Sequence, residues 1–373
     1  MKILIVLRAP TGGLWRHAVD LAETLAEHGS EVGLAIDGGF SDSQTERGLA
    51  RLEGRMSLGI YRLAIARQPG FADIGAIWAI RRLAAKLGVD IVHGHGAKGG
   101  AYARFAALGM KNRVSVYTPH GGVINYKVGH WDGDLLRRVE TLMLGLIDAI
   151  AFESEFARKA YAETIGTPRC LWRVIHNGLG EKDFEPLPEP KERFDFAFVG
   201  ELRSVKGVPV LLEALSQIRR PDGSPATLVL AGGGPEVPTA HALCKTFDLC
   251  DRVKFVGVQP AREVFAQSDC VVMPSLFESL PYVILEAAAT GKQVIATDVG
   301  GVNEIFGPYS DRLIPAGDVQ ALKAAMTRFL NDPETGGAEG SELKDYVREK
   351  FNIARMTGEV ERLYKDALAG RKA

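Results

Sequence analysis

Short apolar runs alternate with amphipathic stretches along most of the chain. Residues 3–7 (ILIVL) are apolar throughout, which is typical of a strand buried on both faces of a parallel sheet. The turn Thr11-Gly12-Gly13 follows. Apolar residues then recur at helical spacing from Leu14 to Leu25, with Gly29 at the expected position after a helix end. The same alternation predicts strands at 31–36, 60–65, 90–93, 114–118, 149–152, 173–175, 196–199, 227–230, 254–256, 270–273 and 293–297, and helices at 74–87, 135–146, 155–164, 208–217, 261–267, 282–290, 319–330, 343–350 and 354–368.

One segment interrupts this rhythm. Residues 180–193 (GEKDFEPLPEPKER) place three prolines among charged residues, a composition that favours an extended connector. The alternation restarts after it, so the sequence predicts an α/β protein made of two doubly wound, Rossmann-like domains that face a cleft. We place the domain boundary at 182/183. In such folds ligands bind beyond the carboxyl ends of the strands.

Composition narrows the possible functions. The 373 residues carry 45 Lys+Arg against 46 Asp+Glu, a net charge of −1, which argues against a dedicated nucleic-acid binder. None of the four cysteines belongs to a CxxC pair, so neither a zinc ribbon nor a disulfide framework is predicted. The first apolar run is too short for a signal peptide or a membrane span. A cytoplasmic location, including the inner face of the membrane, is expected.

Two glutamates frame a predicted helix start. Glu278 lies in the loop after strand 270–273, and Glu286 falls inside the helix that begins near Pro281. The backbone N–H groups of a helix N-terminus attract anions, and a carboxylate accepts hydrogen bonds from sugar hydroxyls. The pair therefore indicates a site for a phosphorylated sugar compound. The alternative is that Glu286 only complements its helix and that Glu278 is solvated.

A second cluster lies at the first strand-to-helix turn of the second half. Gly200 to Gly207 (GELRSVKG) combines two glycines with Arg203 and Lys206. Such a turn favours a phosphate cradle, because glycine lets the backbone approach and the cations bind oxyanions. A basic surface turn is the alternative. The run Gly232-Gly233-Gly234 does not continue as G-x-G-x-x-G, so a dinucleotide site is not predicted.

Histidines and glycines follow three strands of the first half. The segments are Gly12-Gly13, His93-Gly94-His95 and His120-Gly121-Gly122, and parallel strands bring their carboxyl ends to one edge. His95 and His120 are candidate functional residues, whereas His93 is compatible with a structural role. A metal site is not expected, because no acidic partner or zinc-type spacing accompanies them.

The order of these motifs resembles the retaining glycosyltransferases of family 4, which have the two-domain GT-B fold. The resemblance covers nearly the whole chain. It rests on TGGLWRHAVDLAETLAEHGSEV (11–32), VHGHG (92–96), TPHGG (118–122), VIHNGL (174–179), FVGELRSVKGVPVLLEAL (198–215), LVLAGGGPE (228–236), VKFVG (253–257) and MPSLFESLPYVILEAAATGKQVIATDVGGVNEI (273–305).

The resemblance implies an activity and a distribution of roles. Residues 183–353 would bind a nucleotide-diphosphate sugar, with UDP as the expected nucleotide. Residues 1–182, together with the C-terminal helix 354–373, would form the acceptor-side domain. Catalytic roles fall to His120, Glu278, Lys206 and Arg203. Donor-binding roles fall to Gly13, Glu286, Val258, Leu280, Pro281, Tyr282 and Gly233, and acceptor-side roles to His95 and Lys98.

One position departs from the family pattern. The family usually has arginine directly after the glycine, and this chain has Glu201 there, so Arg203 would replace it. The resemblance implies that no metal or other cofactor is needed. Cations and a helix N-terminus would stabilise the departing diphosphate. The transferred sugar would keep its anomeric configuration.

The acceptor is less well indicated. A glycan or lipid-linked sugar of cell-surface polysaccharide synthesis is the expectation, and the basic stretch 97–113 suggests a weak membrane contact. Its alternative is a half-buried helix with solvated charges. Two other functions stay open: a nucleotide-sugar epimerase of the same fold and a non-catalytic nucleotide-sugar-binding protein.

Overall fold

The chain divides into two compact units. The computed structural model describes residues 1–40, 42–68, 70–122, 131–190 and 192–372. The first unit comprises Met1–Gly178 and Ile353–Ala373, and the second comprises Leu179–Asn352. The sequence placed the divisions at 182/183 and 353/354, and the roles assigned to the two domains stay predictions.

The first unit contains a seven-stranded parallel sheet, in the order β3-β2-β1-β4-β5-β6-β7. Residues 3–7 of β1 are buried, as the apolar run predicted. The strands are β1 (Lys2–Leu7), β2 (Glu31–Asp37), β3 (Gly59–Leu63), β4 (Ile91–His95), β5 (Val114–Thr118), β6 (Ala149–Phe152) and β7 (Leu171–Val174).

Helices pack on both faces of this sheet. The helices are α1 (Gly12–Glu27), α2 (Ser43–Leu52), α3 (Ala72–Leu87), α4 (Gly96–Ala107), α5 (Trp131–Met143), α6 (Glu155–Thr164) and, from the end of the chain, α14 (Ile353–Lys372). Ile3 and Ile5 form a core with α1 and α14, whereas Leu4 and Val6 form another with α3 and α4. Alternate β1 residues thus face opposite helical layers, as strand geometry requires.

The second unit repeats the design with a five-stranded parallel sheet in the order β10-β9-β8-β11-β12. Its strands are β8 (Phe194–Val199), β9 (Leu228–Ala231), β10 (Val253–Gly257), β11 (Ser268–Met273) and β12 (Gln293–Ala296). Its helices are α7 (Val208–Ser216), α8 (Val237–Thr246), α9 (Ala261–Ala266), α10 (Tyr282–Ala289), α11 (Val302–Phe306), α12 (Val319–Asn331) and α13 (Pro333–Lys350). The predicted α/β class with two doubly wound parallel sheets is confirmed.

Several helices were missed or shortened in the prediction. Helices α2, α8 and α11 were not predicted, and α13 begins ten residues before the predicted start at 343. Its first turns contain glycines, which are poor helix formers. Packing explains two of them: a Cβ on Gly336 would lie 2.7 Å from the Phe329 ring, and one on Gly340 would lie 2.5 Å from the Gly291 carbonyl oxygen.

The basic stretch 97–113 is not an amphipathic membrane helix. Helix α4 ends at Ala107, and the cations of this stretch are mostly used inside the fold. Arg104 is fully buried, and Arg113 donates hydrogen bonds to three backbone carbonyls. Of its four cations, only Lys111 makes no such contact among the described residues, so the membrane interpretation of this stretch is wrong. The alternative of solvated charges is wrong for Lys98, Arg104 and Arg113 and holds only for Lys111, which is exposed.

Candidate functional site

The loop after β8 packs directly on the loop after β11. It contains a 3-10 turn at Ser204–Lys206 and ends at Gly207, whose φ is +67°. A Cβ on Gly207 would lie 1.9 Å from the carbonyl oxygen of Pro274, so only glycine fits here. The Leu276 N–H also donates a 2.7 Å hydrogen bond to the Val205 carbonyl. The fold therefore fixes the position of Lys206 relative to Glu278.

Lys206 and Glu278 form an ion pair between the loops that follow β8 and β11. The Nζ–Oε1 distance is 2.5 Å, and the Ser275 hydroxyl donates to the same oxygen at 2.7 Å. Glu278 is only 8% exposed, so the alternative of a solvated carboxylate is wrong. The buried carboxylate fixes the orientation of the ammonium at the carboxyl ends of the strands, where ligands of such sheets bind. An ammonium in this place can bind an anion.

Arg203 is placed differently. Its guanidinium lies 3.7 Å from the Glu201 carboxylate, and both side chains are 58% exposed. Among the residues that the structure describes, no contact comparable to the Lys206–Glu278 pair holds it. An exposed pair of this kind contributes little to stability, so Arg203 is free to reorient. The role inferred for it stays a prediction.

The start of α10 lies a few residues beyond Glu278. Leu280, Pro281 and Tyr282 are buried, and Pro281 precedes the first helical residue. The first backbone N–H groups of a helix have no hydrogen-bond partner within the helix, and a helix N-terminus is therefore a common binding site for anions. Glu286 lies one turn further on and is half-buried.

Gly233 and Val258, in the loops after β9 and β10, lie close to each other. The Leu202 N–H donates a 2.7 Å hydrogen bond to the Gly233 carbonyl, and a Cβ on Gly233 would lie 3.4 Å from Val258 Cγ2. Val258 follows β10 and is 65% exposed. The predicted donor residues of the second unit thus follow β8, β9, β10 and β11, four neighbouring strands of one sheet.

In the first unit Gly13 lies in the first turn of α1. Gly12, directly before it, has a φ of +62° and both glycines are exposed. The exposed backbone at the N-terminus of this 16-residue helix fits the approach of an anion. Lys98, by contrast, uses its ammonium on the carbonyls of Ala66 and Gln68 and on Asp73. Its predicted contact with the acceptor would require breaking those bonds.

His120 belongs to a cluster of four histidines. Its Nε2 lies 2.9 Å from Nδ1 of His95, and the two rings stack with centroids 5.2 Å apart. His17 meets the His120 ring edge-on at 4.8 Å, and His93 lies 4.1 Å from the His95 ring. His120 also has a φ of +50°, a strained conformation for a non-glycine residue. The predicted pair His95 and His120 is therefore in direct contact.

The outer members of the cluster hold it in place. His93 bonds the Tyr364 hydroxyl through Nδ1 at 2.6 Å and the Thr118 hydroxyl through Nε2 at 2.8 Å. His17 Nδ1 lies 3.0 Å from Asn177 Oδ1, which fixes the ring when Nδ1 carries the proton. His95 Nε2 is buried and has no hydrogen-bond partner within the described residues.

Sequence reasoning missed His17 and Asn177. His17 stands one turn after Gly13 on α1, so it lies at the same strand edge as the glycine turn. That spacing was a usable signal, because residues i and i+4 share a helix face. Asn177 gave no such signal, since its contact with His17 joins positions 160 residues apart.

All four rings are kept neutral. Burial is the main cause: it lowers the pKa of His17 to about 4 and the pKa values of His93, His95 and His120 well below their usual range. Neighbouring histidines lower the last three further. A neutral His120 orients and polarises a bound group through hydrogen bonds and carries no charge of its own.

This burial predicts acid sensitivity. The unfolded chain binds histidine protons near pH 6.5, whereas folded His17 binds its proton near pH 4. The unfolded state therefore takes up more protons as the pH falls below 6.5, and the free energy of unfolding decreases by up to about 1.4 kcal/mol per pH unit for each such histidine. Urea unfolding between pH 7 and 5 measures the slope.

A matched pair of variants isolates this contribution. His17→Gln should reduce the slope, and His241→Gln, at an exposed histidine outside the cluster, is the matched control. Equal slopes in wild type and His17→Gln would contradict the prediction.

Three of the histidines are grouped closely enough to hold a metal ion. One ring nitrogen from each of His17, His95 and His120 lies within 4.8 Å of the others. Neutral imidazoles are suitable ligands, although the His95–His120 contact of 2.9 Å is already a hydrogen bond. The expectation of a metal-free enzyme stays a prediction.

Comparisons with known proteins match both units. The family described as "Glycosyltransferase Family 4" matches residues 11–180, and "Glycosyl transferases group 1" matches residues 180–349. An uncharacterized glycosyltransferase of Methanocaldococcus jannaschii is 24% identical over 96% of this chain and 95% of its own length. N-acetyl-alpha-D-glucosaminyl L-malate synthase of Bacillus anthracis is 32% identical over 47% of this chain and 46% of its own.

Solved structures agree on the fold. The sucrose-phosphate synthase of Thermosynechococcus elongatus has a TM-score of 0.81 and 23% identity, covering 99% of this chain and 100% of the other. HepE of Anabaena, solved with UDP-glucose, has a TM-score of 0.81 and 20% identity over 98% of this chain and 100% of its own. These neighbours show the GT-B fold, and the two family matches, which together span residues 11–349, show that this chain belongs to the family 4 type of glycosyltransferases.

Proposed function

We propose that this glycosyltransferase moves a sugar from a UDP-sugar to a hydroxyl acceptor and that the sugar keeps its anomeric configuration. The observation that carries the proposal is the Lys206–Glu278 pair, 2.5 Å apart and a few residues from the start of α10. An oriented ammonium and a helix N-terminus are the features that stabilise a departing diphosphate. HepE, solved with UDP and with UDP-glucose, supports the choice of nucleotide.

Each residue then acts on a stated part of the donor. Lys206 and Arg203 neutralise the diphosphate, and the backbone at Leu280–Tyr282 donates hydrogen bonds to the sugar and phosphates. Glu286 accepts hydrogen bonds from the ribose hydroxyls, while Val258 and Gly233 contact the base. Gly13 lets the diphosphate approach α1. Glu278 both orients Lys206 and lies beside the donor sugar.

The reaction needs little proton chemistry from side chains. As the bond to the diphosphate breaks, positive charge develops on the sugar and negative charge on the leaving oxygen. The acceptor hydroxyl attacks from the face that the diphosphate leaves, and a phosphate oxygen takes its proton. Neutral His120 holds the transferred sugar. No metal is required in this scheme.

The acceptor is proposed to be a glycan or a lipid-linked sugar. The names of several relatives support a membrane-associated substrate, among them the gpi3 subunit of the phosphatidylinositol N-acetylglucosaminyltransferase of Schizosaccharomyces pombe, 24% identical over 95% of this chain. None of the helices that the structure describes has the length and apolar character needed to cross a bilayer. We propose a cytoplasmic location at the inner face of the membrane.

A panel of UDP-, GDP- and ADP-sugars tests the proposal. We expect release of UDP from one UDP-sugar, with and without a chelator, and an unchanged anomeric configuration by NMR when an acceptor is added. Detection of an epimerised donor would indicate an epimerase instead of a transferase. Binding of the donor without turnover would indicate a non-catalytic protein. Loss of activity with the chelator would contradict the metal-free mechanism.

Calorimetry of UDP binding tests the donor site independently of catalysis. Glu286→Ala should weaken UDP binding, whereas Glu213→Ala, an exposed glutamate on α7, should not. Equal UDP affinity in the two variants would remove Glu286 from the donor site.

A further inference from the structure

Exposed apolar side chains concentrate on one part of the first unit. Eleven large hydrophobic side chains are exposed among the described residues, and seven of them belong to α3, to α5 or to the segments directly bordering α3 and α4. These seven are Phe71, Ile74, Trp78, Leu108, Leu135, Val139 and Leu142. Scattered single residues of this kind need no explanation, but a grouped set marks an interaction surface.

The first row lies along α3. Phe71, Ile74 and Trp78 are spaced by three and four residues, so they share one helix face, and they are 93%, 55% and 60% exposed. The exposed Arg82 and Lys86 continue the row by further steps of four. The opposite side of the helix is buried in the core of the unit through Ala76, Ile80 and Ala84.

The second row lies along α5. Leu135, Val139 and Leu142 are spaced by four and three residues and are 53%, 40% and 81% exposed. Arg138 is exposed beside Val139. This row therefore has the same composition as the first one: apolar side chains with a flanking cation.

Both helices flank α4 on the same face of the sheet. The Arg81 guanidinium of α3 donates to the carbonyls of Phe105 and Leu108 at 2.7 and 2.8 Å. Arg104 of α4 is bonded to Glu140 of α5. The two rows thus belong to one helical layer, with α4 buried between them.

The free charges of this layer are positive. The acidic side chains described on α3 and α5 are each paired: Asp73 with Lys98, Asp134 with Arg137 and Glu140 with Arg104. Arg82, Lys86, Lys111 and Arg138 have no ion-pair partner among the described residues. Apolar and aromatic side chains with surrounding cations fit the interface of an anionic bilayer, where tryptophan favours the headgroup level.

We propose that the rows on α3 and α5 form a membrane-binding surface that takes anionic phospholipid. The rows enter the headgroup region with their apolar side chains, and Arg82, Lys86, Lys111 and Arg138 contact lipid phosphates. Of the stretch 97–113 only Lys111 contributes a cation to this surface, because Lys98, Arg104 and Arg113 are occupied inside the fold. The proposal does not depend on the glycosyl transfer reaction, because the surface lies outside the residues assigned to the donor.

Vesicle flotation tests it with the full chain. We expect the wild type to float with vesicles of 30 mol% phosphatidylglycerol in phosphatidylcholine, with much weaker flotation on pure phosphatidylcholine. Phe71→Ser/Trp78→Ser should reduce the bound fraction at least fivefold, and Arg82→Glu/Arg138→Glu should act similarly at low salt. Trp172→Ser, at an exposed tryptophan on β7 outside the two rows, is the matched control and should bind as the wild type does.

The outcomes separate lipid from other occupants. Circular dichroism melting verifies that each variant is folded. We expect all of them to fold, because the substituted positions are exposed. Binding that is equal in wild type and Phe71→Ser/Trp78→Ser, or no binding to the anionic vesicles, overturns the proposal. Self-association that the same double variant abolishes, without vesicle binding, would assign the surface to a second copy of the chain. Vesicle binding by a protein that transfers no sugar would refute the proposed function alone.

Discussion

Lys206→Ala is expected to lower turnover by about 10²–10³-fold, the usual cost of losing one preorganised donor to a developing negative charge. The ammonium is held 2.5 Å from Glu278, so it is already oriented before the diphosphate charge grows. Because this charge is largest in the transition state, the change should appear mainly in kcat, with a smaller change in the affinity for UDP. Steady-state kinetics and UDP calorimetry on the same preparation measure both.

Two further variants make this result interpretable. Lys206→Gln keeps a hydrogen-bond donor for Glu278 and removes the positive charge, so it should be nearly as slow as Lys206→Ala while disturbing the fold less. Lys254→Ala removes a lysine whose pair with Glu192 is half exposed, and it should leave turnover unchanged. Near-wild-type turnover in folded Lys206→Gln would exclude Lys206 from the phosphate cradle.

Glu140→Ala should destabilise the first unit by about 3–5 kcal/mol, since it leaves a buried charge without its partner. Arg104 is fully buried, Glu140 is 2% exposed, and the Tyr161 hydroxyl donates to Glu140 Oε1 at 2.7 Å. The Arg104 guanidinium also stacks over the Tyr117 ring at 4.6 Å, where it cannot reach water. Chemical unfolding followed by circular dichroism measures the loss.

The cost comes from the unpaired arginine rather than from the pair itself. Arg104→Met/Glu140→Leu removes both charges and should recover much of the lost stability. Asp366→Ala breaks a more exposed pair with Arg173 and should cost less than about 1 kcal/mol. If Glu140→Ala were as mild as Asp366→Ala, the buried pair would contribute no more than a surface one.

The architecture could be predicted because parallel strands buried on both faces are continuous apolar runs. Residues 3–7 and 270–273 illustrate this, and every predicted strand corresponds to an observed one within three residues at either end. Helices were harder where tertiary packing outweighs local preference. Gly336 and Gly340 weaken α13 as an isolated helix, yet both let it approach neighbouring elements closely.

The candidate site was predictable only in part. Glycine turns after strands marked the loops, and strand order brings those loops to one edge. The sequence did not reveal that Lys206 pairs with Glu278, because this contact joins positions 72 residues apart. Nor did it reveal that the cations of 97–113 are used inside the fold, since an exposed and a buried arginine look alike in a sequence.

Helix α14 has a consequence for the synthesis of the protein. Val360 and Leu363 pack in the same core as Ile3 and Ile5, and Tyr364 bonds His93, yet this helix follows all 174 residues of the second unit. At about 5–20 residues per second, the ribosome takes about 10–35 s to make the intervening unit. During that time helix α14 is missing from one face of the first unit's sheet. The first unit, although it is translated before the second, can therefore finish folding only after the second has been synthesised.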